Sequence, residues 1–340
     1  MLVWKQLQDG LKGITRMNRC SRRLATILLL TILSLVPGVS QSKPGSHRPA
    51  RGVHVRSHRA PIRLPLPRIS VYLYQPEEIG SPREIAATAK RIGFDAVFVK
   101  GLDGTQAFRS PVEIRDLVRA LHKAKIQAFV WGYLYANHPR EEAQRIIALL
   151  HEPHVSGYVF DAEDDVEEQG KWENVALVLH LVKQHRDTCP ACKKKLLGAD
   201  VHAFPSRHPD LPYRTLVEAV DFISPMMYWG EMQRKVGNTV QHTSEEWVRW
   251  EKQNHLSVPI LPLGQCYCEK GLDPKPGELL RFARLTRRYK CLSWWEFGSM
   301  LHTGMEPEMK SVIAMIKGKP SRTQRLPKRY GYRRTNGKRV

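Results

Sequence analysis

The chain has 340 residues, 42% hydrophobic composition and a formal net charge of +21. Its length suits either two ordinary domains or one large barrel with a full hydrophobic core. The charge is confined to the ends: residues 1–68 hold thirteen Lys/Arg and a single acid, and residues 317–340 hold ten Lys/Arg and no acid. The body between them is close to neutral, so a basic groove across the fold is not indicated, and the charge argues against nucleic acid as a specific partner.

The amino-terminal segment has the pattern of an export signal. A basic stretch precedes about thirteen mostly apolar residues from Leu24 to Val36, followed by small residues suited to cleavage before Gln41. The apolar run is shorter than the roughly 20 residues that span a bilayer, so a permanent anchor is the lesser alternative. We therefore expect residues 1–40 to be a signal peptide that exports the protein to the periplasm, the cell surface or the medium.

Two further segments, residues 41–68 and 317–340, mix Pro, Gly, Ser and Arg without hydrophobic periodicity. This composition predicts a disordered basic linker and a disordered basic tail. They could hold the protein on an anionic cell-surface polymer, although solvated tails without a specific partner explain them equally well. Residues 69–316 are expected to form the folded domain of a monomer.

From Ile69 onward, short apolar runs typical of strands alternate with amphipathic runs typical of helices. The predicted strands are ISVYLYQ, AVFVKG, QAFVWGYLY, GYVFDAE, LLGADVHAF, DFISPMMYW, PILPLGQCY and CLSWWEF. Helix starts are indicated at Ser81 and Ser110, each followed by Pro. Eight strands, each followed by a helix, predict an α/β fold of the (β/α)8 barrel type. An open doubly wound sheet is the alternative, but no Gly-rich phosphate loop follows the first strand.

The fourth predicted strand ends in carboxylates. Because side chains alternate across a strand, Asp161 and Glu163 share a face roughly 6.5 to 7 Å apart along the backbone, while Ala162 points away. Repulsion between two such charges favours protonation of one of them near neutral pH. A protonated carboxyl beside a negative charge is what acid-catalysed glycoside cleavage requires. The acids that follow Glu163 are interpreted as solvated loop charges.

Chemistry in (β/α)8 barrels takes place at the C-terminal ends of the strands. The substrate-binding candidates there are Gln75, Lys100, Trp131, Tyr133, Asp200, His202, Trp229, Gln265, Trp294 and Glu296. Aromatic faces match the apolar faces of sugar rings, and Tyr hydroxyls can bind their polar rims. Any one tryptophan could simply pack the barrel, but as a set around one rim the aromatic residues favour a carbohydrate site.

Other chemistries have weaker support. Lys100 and Asp103 form a buried ion pair as readily as a substrate anchor, and His202 could supply a base or merely bond within its loop. The rim acids and His202 could converge on a metal, but without a tight His-x-His or His-Glu-x-x-His spacing we predict no metal and no other cofactor. Gly-x-Ser-x-Gly is absent, so esterase chemistry is not indicated.

The cysteines are interpreted as candidate bridges because export places them in an oxidising compartment. Removal of Cys20 with the signal leaves five, at Cys189, Cys192, Cys266, Cys268 and Cys291. The C-x-x-C pair should follow a helix and the C-x-C pair should end a strand, so the two pairs are expected at opposite ends of the fold. We therefore predict a local Cys189–Cys192 bridge rather than a zinc site shared by the two pairs.

Several of these segments resemble known glycoside hydrolase barrels. GYVFDAE resembles the fourth-strand motif of family 18 chitinases and the Asp-x-Glu strand of family 25 lysozymes, DFISPMMYW is similar to the sixth strand of family 18, and LSWWEF is similar to the eighth strand of both. FVKGLDGT, VWGYLYANHPREEA and HPDLPY are similar to uncharacterised bacterial barrels grouped near these lysozymes. The resemblance implies that Glu163 is the proton donor, Asp161 its electrostatic partner, and Tyr228 a support for the substrate or its reacting carbonyl.

The chain departs from these families at three positions. Family 18 has a further Asp where this chain has Val159 and an Asp where it has Trp229, and family 25 has an Asp near the end of strand one, where the polar residue here is Gln75. We predict an exported glycoside hydrolase acting on an N-acetylhexosamine-containing polysaccharide such as peptidoglycan or chitin. The alternative is a non-catalytic barrel that binds cell-wall polysaccharide, with tails that add electrostatic attraction.

Overall fold

The computed structural model describes residues 66–168, 170–268 and 272–318, together with Tyr330. The predicted signal peptide and almost all of the predicted linker lie outside these residues. Among the helices that the structure describes, none is both long enough and apolar enough to cross a bilayer.

The strands of the described residues form one sheet that closes on itself. Their bounds are β1 (Ser70–Leu73), β2 (Ala96–Asp103), β3 (Gln106–Ala107), β4 (Gln127–Tyr133), β5 (Val155–Asp161), β6 (Leu196–His202), β7 (Phe222–Met227), β8 (Leu263–Gln265) and β9 (Ser293–Trp295). Eight of them are parallel in the order β1-β9-β8-β7-β6-β5-β4-β2, and pairing of β1 with β2 completes the ring. The short β3 pairs antiparallel with the end of β2. The predicted (β/α)8 barrel is confirmed.

Helices surround this ring. They are α1 (Pro82–Ile92), α2 (Pro111–Lys123), α3 (Pro139–His151), α4 (Lys171–Thr188), α5 (Tyr213–Ala219), α6 (Val236–Asn254), α7 (Glu278–Leu285), α8 (Phe297–His302) and α9 (Glu306–Ile316). The predicted starts at Ser81 and Ser110 are confirmed. Each serine accepts a hydrogen bond from the backbone of Glu84 or Glu113, and that glutamate bonds back to the serine.

Alternation along the strands divides the buried side chains into two layers. One layer packs against the helices, and the other fills the interior of the ring with aromatic and aliphatic residues. A Cβ atom at Gly157 would lie 2.2 Å from the Leu196 carbonyl oxygen, and one at Gly198 would lie 2.2 Å from the Phe222 ring. These close approaches let the interior rings fill the barrel, so chemistry is restricted to the rim at the strand ends.

Three residues of the predicted carboxyl-terminal tail are described, and each contacts the folded domain or its last helix. Lys317 Nζ lies 2.5 Å from the Asp95 carboxylate, and Gly318 donates a backbone hydrogen bond to Met315. Tyr330 is buried, and its hydroxyl donates to Glu308. The disorder predicted for residues 317–340 stays a prediction. The rest of the tail lies outside the described residues.

The predicted Cys189–Cys192 bridge is not formed, since both residues are free thiols in the structure. Cys189 follows the C-terminal end of α4, and Cys266 follows the C-terminal end of β8. Because helices and strands run in opposite directions in this fold, the two cysteine pairs lie at opposite ends of the barrel, as predicted.

Candidate active site

Strand β5 carries the predicted acids into the barrel rim. Val159 belongs to the interior layer, whereas Phe160 and Ala162 are buried against the helices. Asp161 therefore faces the interior and is 8% exposed. Glu163 follows the strand with extended backbone (φ −122°, ψ −155°), so it continues the same alternation and is half-buried. Asp161 and Glu163 share one face above Val159.

Asp200 on the neighbouring strand lies beside this pair. It is in register with Asp161 and 2% exposed, and the Tyr72 hydroxyl donates a hydrogen bond of 2.6 Å to its carboxylate. Burial raises the pKa of Asp200 to about 8, the hydrogen bond from Tyr72 opposes the rise, and the charge of Glu163 adds to it. Asp200 is consequently protonated at neutral pH next to Asp161.

Two tyrosines flank the acids. Tyr228 follows β7 and lies edge-on to Tyr267, with ring centroids 5.7 Å apart. Burial, with contributions from Tyr267 and from the acids of β5 and β6, raises the pKa of Tyr228 well above its usual value, so its hydroxyl keeps its proton. Tyr133 at the end of β4 donates to Asp165 at 2.7 Å. Asp165 is half-buried, so its interpretation as a solvated loop charge is wrong.

Lys100 lies among aromatic rings rather than open to a ligand. It is 5% exposed, and its Nζ is 3.2 Å from Asp103 and 4.4 Å from the centroid of Trp131. Phe108 and Tyr74 lie within 6 Å of the same Nζ, at 5.3 and 5.8 Å. Ion pairing and cation–π contacts therefore satisfy the ammonium. Lys100 supports the rim instead of anchoring a substrate carboxylate.

The aromatic wall of the rim includes Trp295, not Trp294. Ring centroids of Trp295 lie 5.2 Å from Trp131 and 6.1 Å from Tyr74. Trp294 is fully buried on the other face of β9 and packs against Phe282 at 5.3 Å. The prediction of Trp294 as a substrate-binding residue is wrong by one position. The first residue of β9, Ser293, faces the barrel interior, so side-chain alternation places Trp295 on that same face.

Of two further residues predicted to bind substrate, Trp229 and Gln75, the first points away from the rim. Trp229 is 2% exposed, and its Nε1 donates to Glu278 at the start of α7 at 3.0 Å. The prediction of Trp229 as a substrate-binding residue is wrong because side-chain alternation places it on the face opposite Tyr228. Gln75 is half-buried just beyond β1, and its predicted role in substrate binding stays a prediction. Side-chain alternation places Tyr72 and Tyr74 on the interior face, and the sequence prediction missed both.

Gln265 and Glu296 are buried at the rim but bond to backbone. Gln265 Oε1 accepts from Gly230 N, and its Nε2 donates to the Leu272 carbonyl, both at 2.8 Å. The Glu296 carboxylate accepts from two backbone N–H groups at the start of α8, at 2.7 and 2.8 Å. Both side chains hold loops in place. Their predicted role as direct substrate-binding residues does not fit these contacts, which are invisible in a sequence.

His202 lies in an ion-paired cluster at the edge of the site. Its Nε2 is 2.9 Å from Asp164, and its ring stacks on His208 at 3.6 Å. His208 Nδ1 is in turn 2.6 Å from Glu167. Asp164 and Glu167 are thus bonded to histidines and are not merely solvated. These acids, rather than Asp161, Asp200 or Glu296, surround the imidazole.

The rim that results contains a carboxylate pair, a protonated carboxyl, two tyrosine hydroxyls and a tryptophan wall. Such a set can donate a proton, stabilise positive charge and stack on a sugar ring. Of the residues predicted to form the site, the structure brings Asp161, Glu163, Asp200, Tyr133, Trp131 and Tyr228 together.

Comparison with known proteins finds similarity in structure. No protein-family model and no curated relative matches the chain. A chitinase from Bacteroides thetaiotaomicron has a TM-score of 0.54 at 11% identity, covering 76% of this chain and 99% of that one. Active domain 2 of a thermostable chitinase from Pyrococcus furiosus gives 0.53 at 15%, covering 75% and 96%. A GH18 chitinase from Flavobacterium johnsoniae gives 0.52 at 14%, covering 74% and 95%. The chain therefore has the (β/α)8 fold of these glycoside hydrolase barrels.

Proposed function

We propose that the protein is a glycoside hydrolase that cleaves an N-acetylhexosamine-containing polysaccharide such as chitin or peptidoglycan. The observation that carries this proposal is the pair Asp161 and Glu163 on one face at the end of β5, next to the protonated Asp200. The fold shared with three chitinases supports the choice of substrate class.

In the proposed reaction, Glu163 donates its proton to the glycosidic oxygen as the bond from that oxygen to the anomeric carbon breaks. Asp161 supplies the negative charge that stabilises the oxocarbenium-like transition state. The anomeric carbon gains a hydroxyl from water, and the remaining proton of that water restores Glu163. The protonated Tyr228 hydroxyl donates a hydrogen bond to the substrate's acetamido carbonyl.

The apolar Val159 leaves no carboxyl below Asp161 on the same strand. We propose that Asp200 supplies a neighbouring carboxyl from the adjacent strand β6. It pairs in register with Asp161 and carries a proton at neutral pH. A hydrogen bond from protonated Asp200 would hold Asp161 in its ionised form. Tyr72 would keep the Asp200 carboxyl in place.

Export and surface attachment are proposed with the activity. The composition of residues 1–40 supports export, and the ten Lys/Arg of residues 317–340 support attraction to an anionic wall polymer. Export would place the enzyme where chitin or peptidoglycan occurs.

A non-catalytic glycan-binding barrel is the second candidate. Two observations favour it: Asp161 is almost enclosed, and Trp229 faces the helices where family 18 has an acid. Such a protein would bind glycan through Trp295 and Tyr74 and release no product.

The test compares wild type with Glu163→Gln on chito-oligosaccharides and on peptidoglycan. Loss of the proton donor should lower turnover by about 10² to 10⁴-fold. The matched control is Glu168→Gln, which removes an exposed acid of the same loop, ion-paired with Lys171 at 3.5 Å. Equal turnover by wild type and Glu163→Gln contradicts the assignment of the acid, and glycan binding without product in every variant supports the second candidate.

A further inference from the structure

A second cluster of chemically competent side chains lies far from the rim. It consists of His151, His185, Cys189 and Cys192, and one ligand atom from each lies within 4.8 Å of the other three. His151 ends α3, and His185 lies in the last turn of α4. The two cysteines form the turn that leads from α4 toward β6. Helix C-terminal ends lie opposite the catalytic rim of a (β/α)8 barrel, so this cluster is separate from the candidate active site.

The local backbone explains how these groups meet. Backbone N–H groups of Cys192 and Lys193 both donate to the Cys189 carbonyl, at 3.0 and 2.9 Å, so the C-x-x-C turn presents both sulfurs on one side. His185 precedes Cys189 by one helical turn and lies on the same side. Packing of α3 against α4 brings His151 to the same point, with its Nε2 2.8 Å from His185 Nε2.

Burial of the cluster is graded. Cys192 is fully buried beside the Leu150 carbonyl, Cys189 and His185 are half-buried, and His151 is exposed. An ion could therefore reach the cluster from solvent and still be anchored by a fixed sulfur.

Two sulfurs and two imidazole nitrogens are a typical donor set for tetrahedral Zn²⁺. Bonds of about 2.3 Å to sulfur and about 2.0 Å to nitrogen put tetrahedral ligands roughly 3.3 to 3.8 Å apart. The observed atoms need shifts of about 1 Å or less to reach that spacing, which rotation of exposed or half-buried side chains can provide.

We propose that His151, His185, Cys189 and Cys192 bind one structural Zn²⁺ ion. The ion would link the end of α3 to the α4–β6 connection. Because four protein ligands leave no open coordination position, it would take no part in hydrolysis. This site differs from one shared by the two cysteine pairs, because it depends on the packing of α3 against α4, which brings His151 beside Cys189.

The test measures zinc bound to the full chain purified under reducing conditions, by inductively coupled plasma mass spectrometry. We expect one Zn²⁺ per chain, and replacement by Co²⁺ should give the visible absorption bands of a tetrahedral site with thiolate ligands. Cys189→Ser and His151→Ala should lose most of the bound metal. Chelation should lower the melting temperature of wild type but not of Cys189→Ser.

Two control variants are matched to these changes. Cys291→Ser removes a buried free thiol elsewhere in the chain. His154→Ala breaks a histidine pair, stacked with His122 at 3.8 Å, that belongs to neither of the candidate metal clusters among the described residues. Both should keep one Zn²⁺ per chain. The proposal is overturned if reduced wild type binds no stoichiometric zinc, or if Cys189→Ser retains as much as the controls. Metal content does not depend on turnover, so this result is independent of the proposed hydrolase activity.

Discussion

Asp200 determines how the candidate site responds to pH. Its pKa is raised to about 8 by burial, so the folded protein keeps a proton on this carboxyl after the unfolded chain has lost it. Stability therefore falls as pH rises from about 4 to about 8, with a slope of at most about 1.4 kcal/mol per pH unit from this group. Below that range both states are protonated, and above it both are ionised.

Replacement of Asp200 by Asn should remove this pH dependence while keeping the side-chain shape. We expect the melting temperature of Asp200→Asn to rise relative to wild type between pH 4 and pH 8. Turnover should fall at the same time, because the Asn amide is a weaker hydrogen-bond donor to Asp161 than the protonated carboxyl that it replaces. A temperature difference that stays constant across this range would contradict the assigned pKa direction.

The Tyr72 hydroxyl should tune the same proton. Its hydrogen bond favours the ionised form of Asp200, so Tyr72→Phe should raise the pKa of Asp200 further. If hydrolysis requires protonated Asp200, the alkaline limb of the pH profile of kcat/KM should move to higher pH in this variant. An alkaline limb that moves to lower pH would contradict the arrangement.

Substitutions of the two adjacent tryptophans of β9 should have different effects, one on substrate binding and the other on stability. Trp295→Ala should raise KM for oligosaccharides, because Trp295 lines the rim with Trp131 and Tyr74. Trp294→Ala should lower the free energy of unfolding by about 3–5 kcal/mol, because it empties a fully buried site against Phe282, and should leave KM almost unchanged. Urea denaturation and initial-rate kinetics measure both effects, and the reverse pattern would show that the rim is misassigned.

Individual residues could be predicted where strand parity was applied. The shared face of Asp161 and Glu163 follows directly from side-chain alternation. The same rule in β1 and β9 places Tyr74 and Trp295 at the rim. Gln265 and Glu296 lay beyond prediction because their roles depend on bonds to distant loop backbone. The proton on Asp200 was equally hidden, since it depends on burial that only the closed barrel creates.

At the scale of elements, glycines in β5 and β6 allow the interior rings to fill the barrel. Gly157→Ala would place a Cβ 2.2 Å from the Leu196 carbonyl oxygen and 2.8 Å from the Phe129 ring. Backbone cannot move aside as a flexible side chain can, so we expect a loss of about 1–3 kcal/mol or more in unfolding free energy.

Gly237→Ala is the matched control. Gly237 lies in α6, and its added Cβ would meet only the mobile end of Arg281 at 3.3 Å. Helix propensity should make this change neutral or stabilising by up to about 1 kcal/mol. Urea denaturation should therefore separate the two variants, and equal effects would contradict the role of Gly157.

The elements themselves were largely predictable. Eight apolar runs became the eight parallel strands, and the Ser-Pro starts at Ser81 and Ser110 became capped helices, because local chemistry and the barrel favour the same conformation there. The hairpin strand β3 was missed, since Gln106–Ala107 is exposed and carries no hydrophobic pattern.

For the whole molecule, the uneven distribution of charge predicts that the barrel carries out turnover and that the basic tail attracts the protein to an anionic wall polymer. Deletion of residues 331–340 removes four Lys/Arg and leaves the contact of Tyr330 with Glu308. Retention on an anionic wall polymer should weaken, and wild-type retention should fall as salt is added. Turnover of a short soluble oligosaccharide should stay the same. Retention that neither salt nor the deletion changes would contradict an electrostatic role.

The central claim is that Glu163 donates the proton to the leaving oxygen. The most direct measurement compares wild type and Glu163→Gln on an unactivated chito-oligosaccharide and on an aryl glycoside whose phenol leaves without protonation. We predict a loss of about 10² to 10⁴-fold on the oligosaccharide and of less than about tenfold on the aryl glycoside. Equal losses on the two substrates would contradict the claim, because they would show that Glu163 acts through binding or folding and not as the acid.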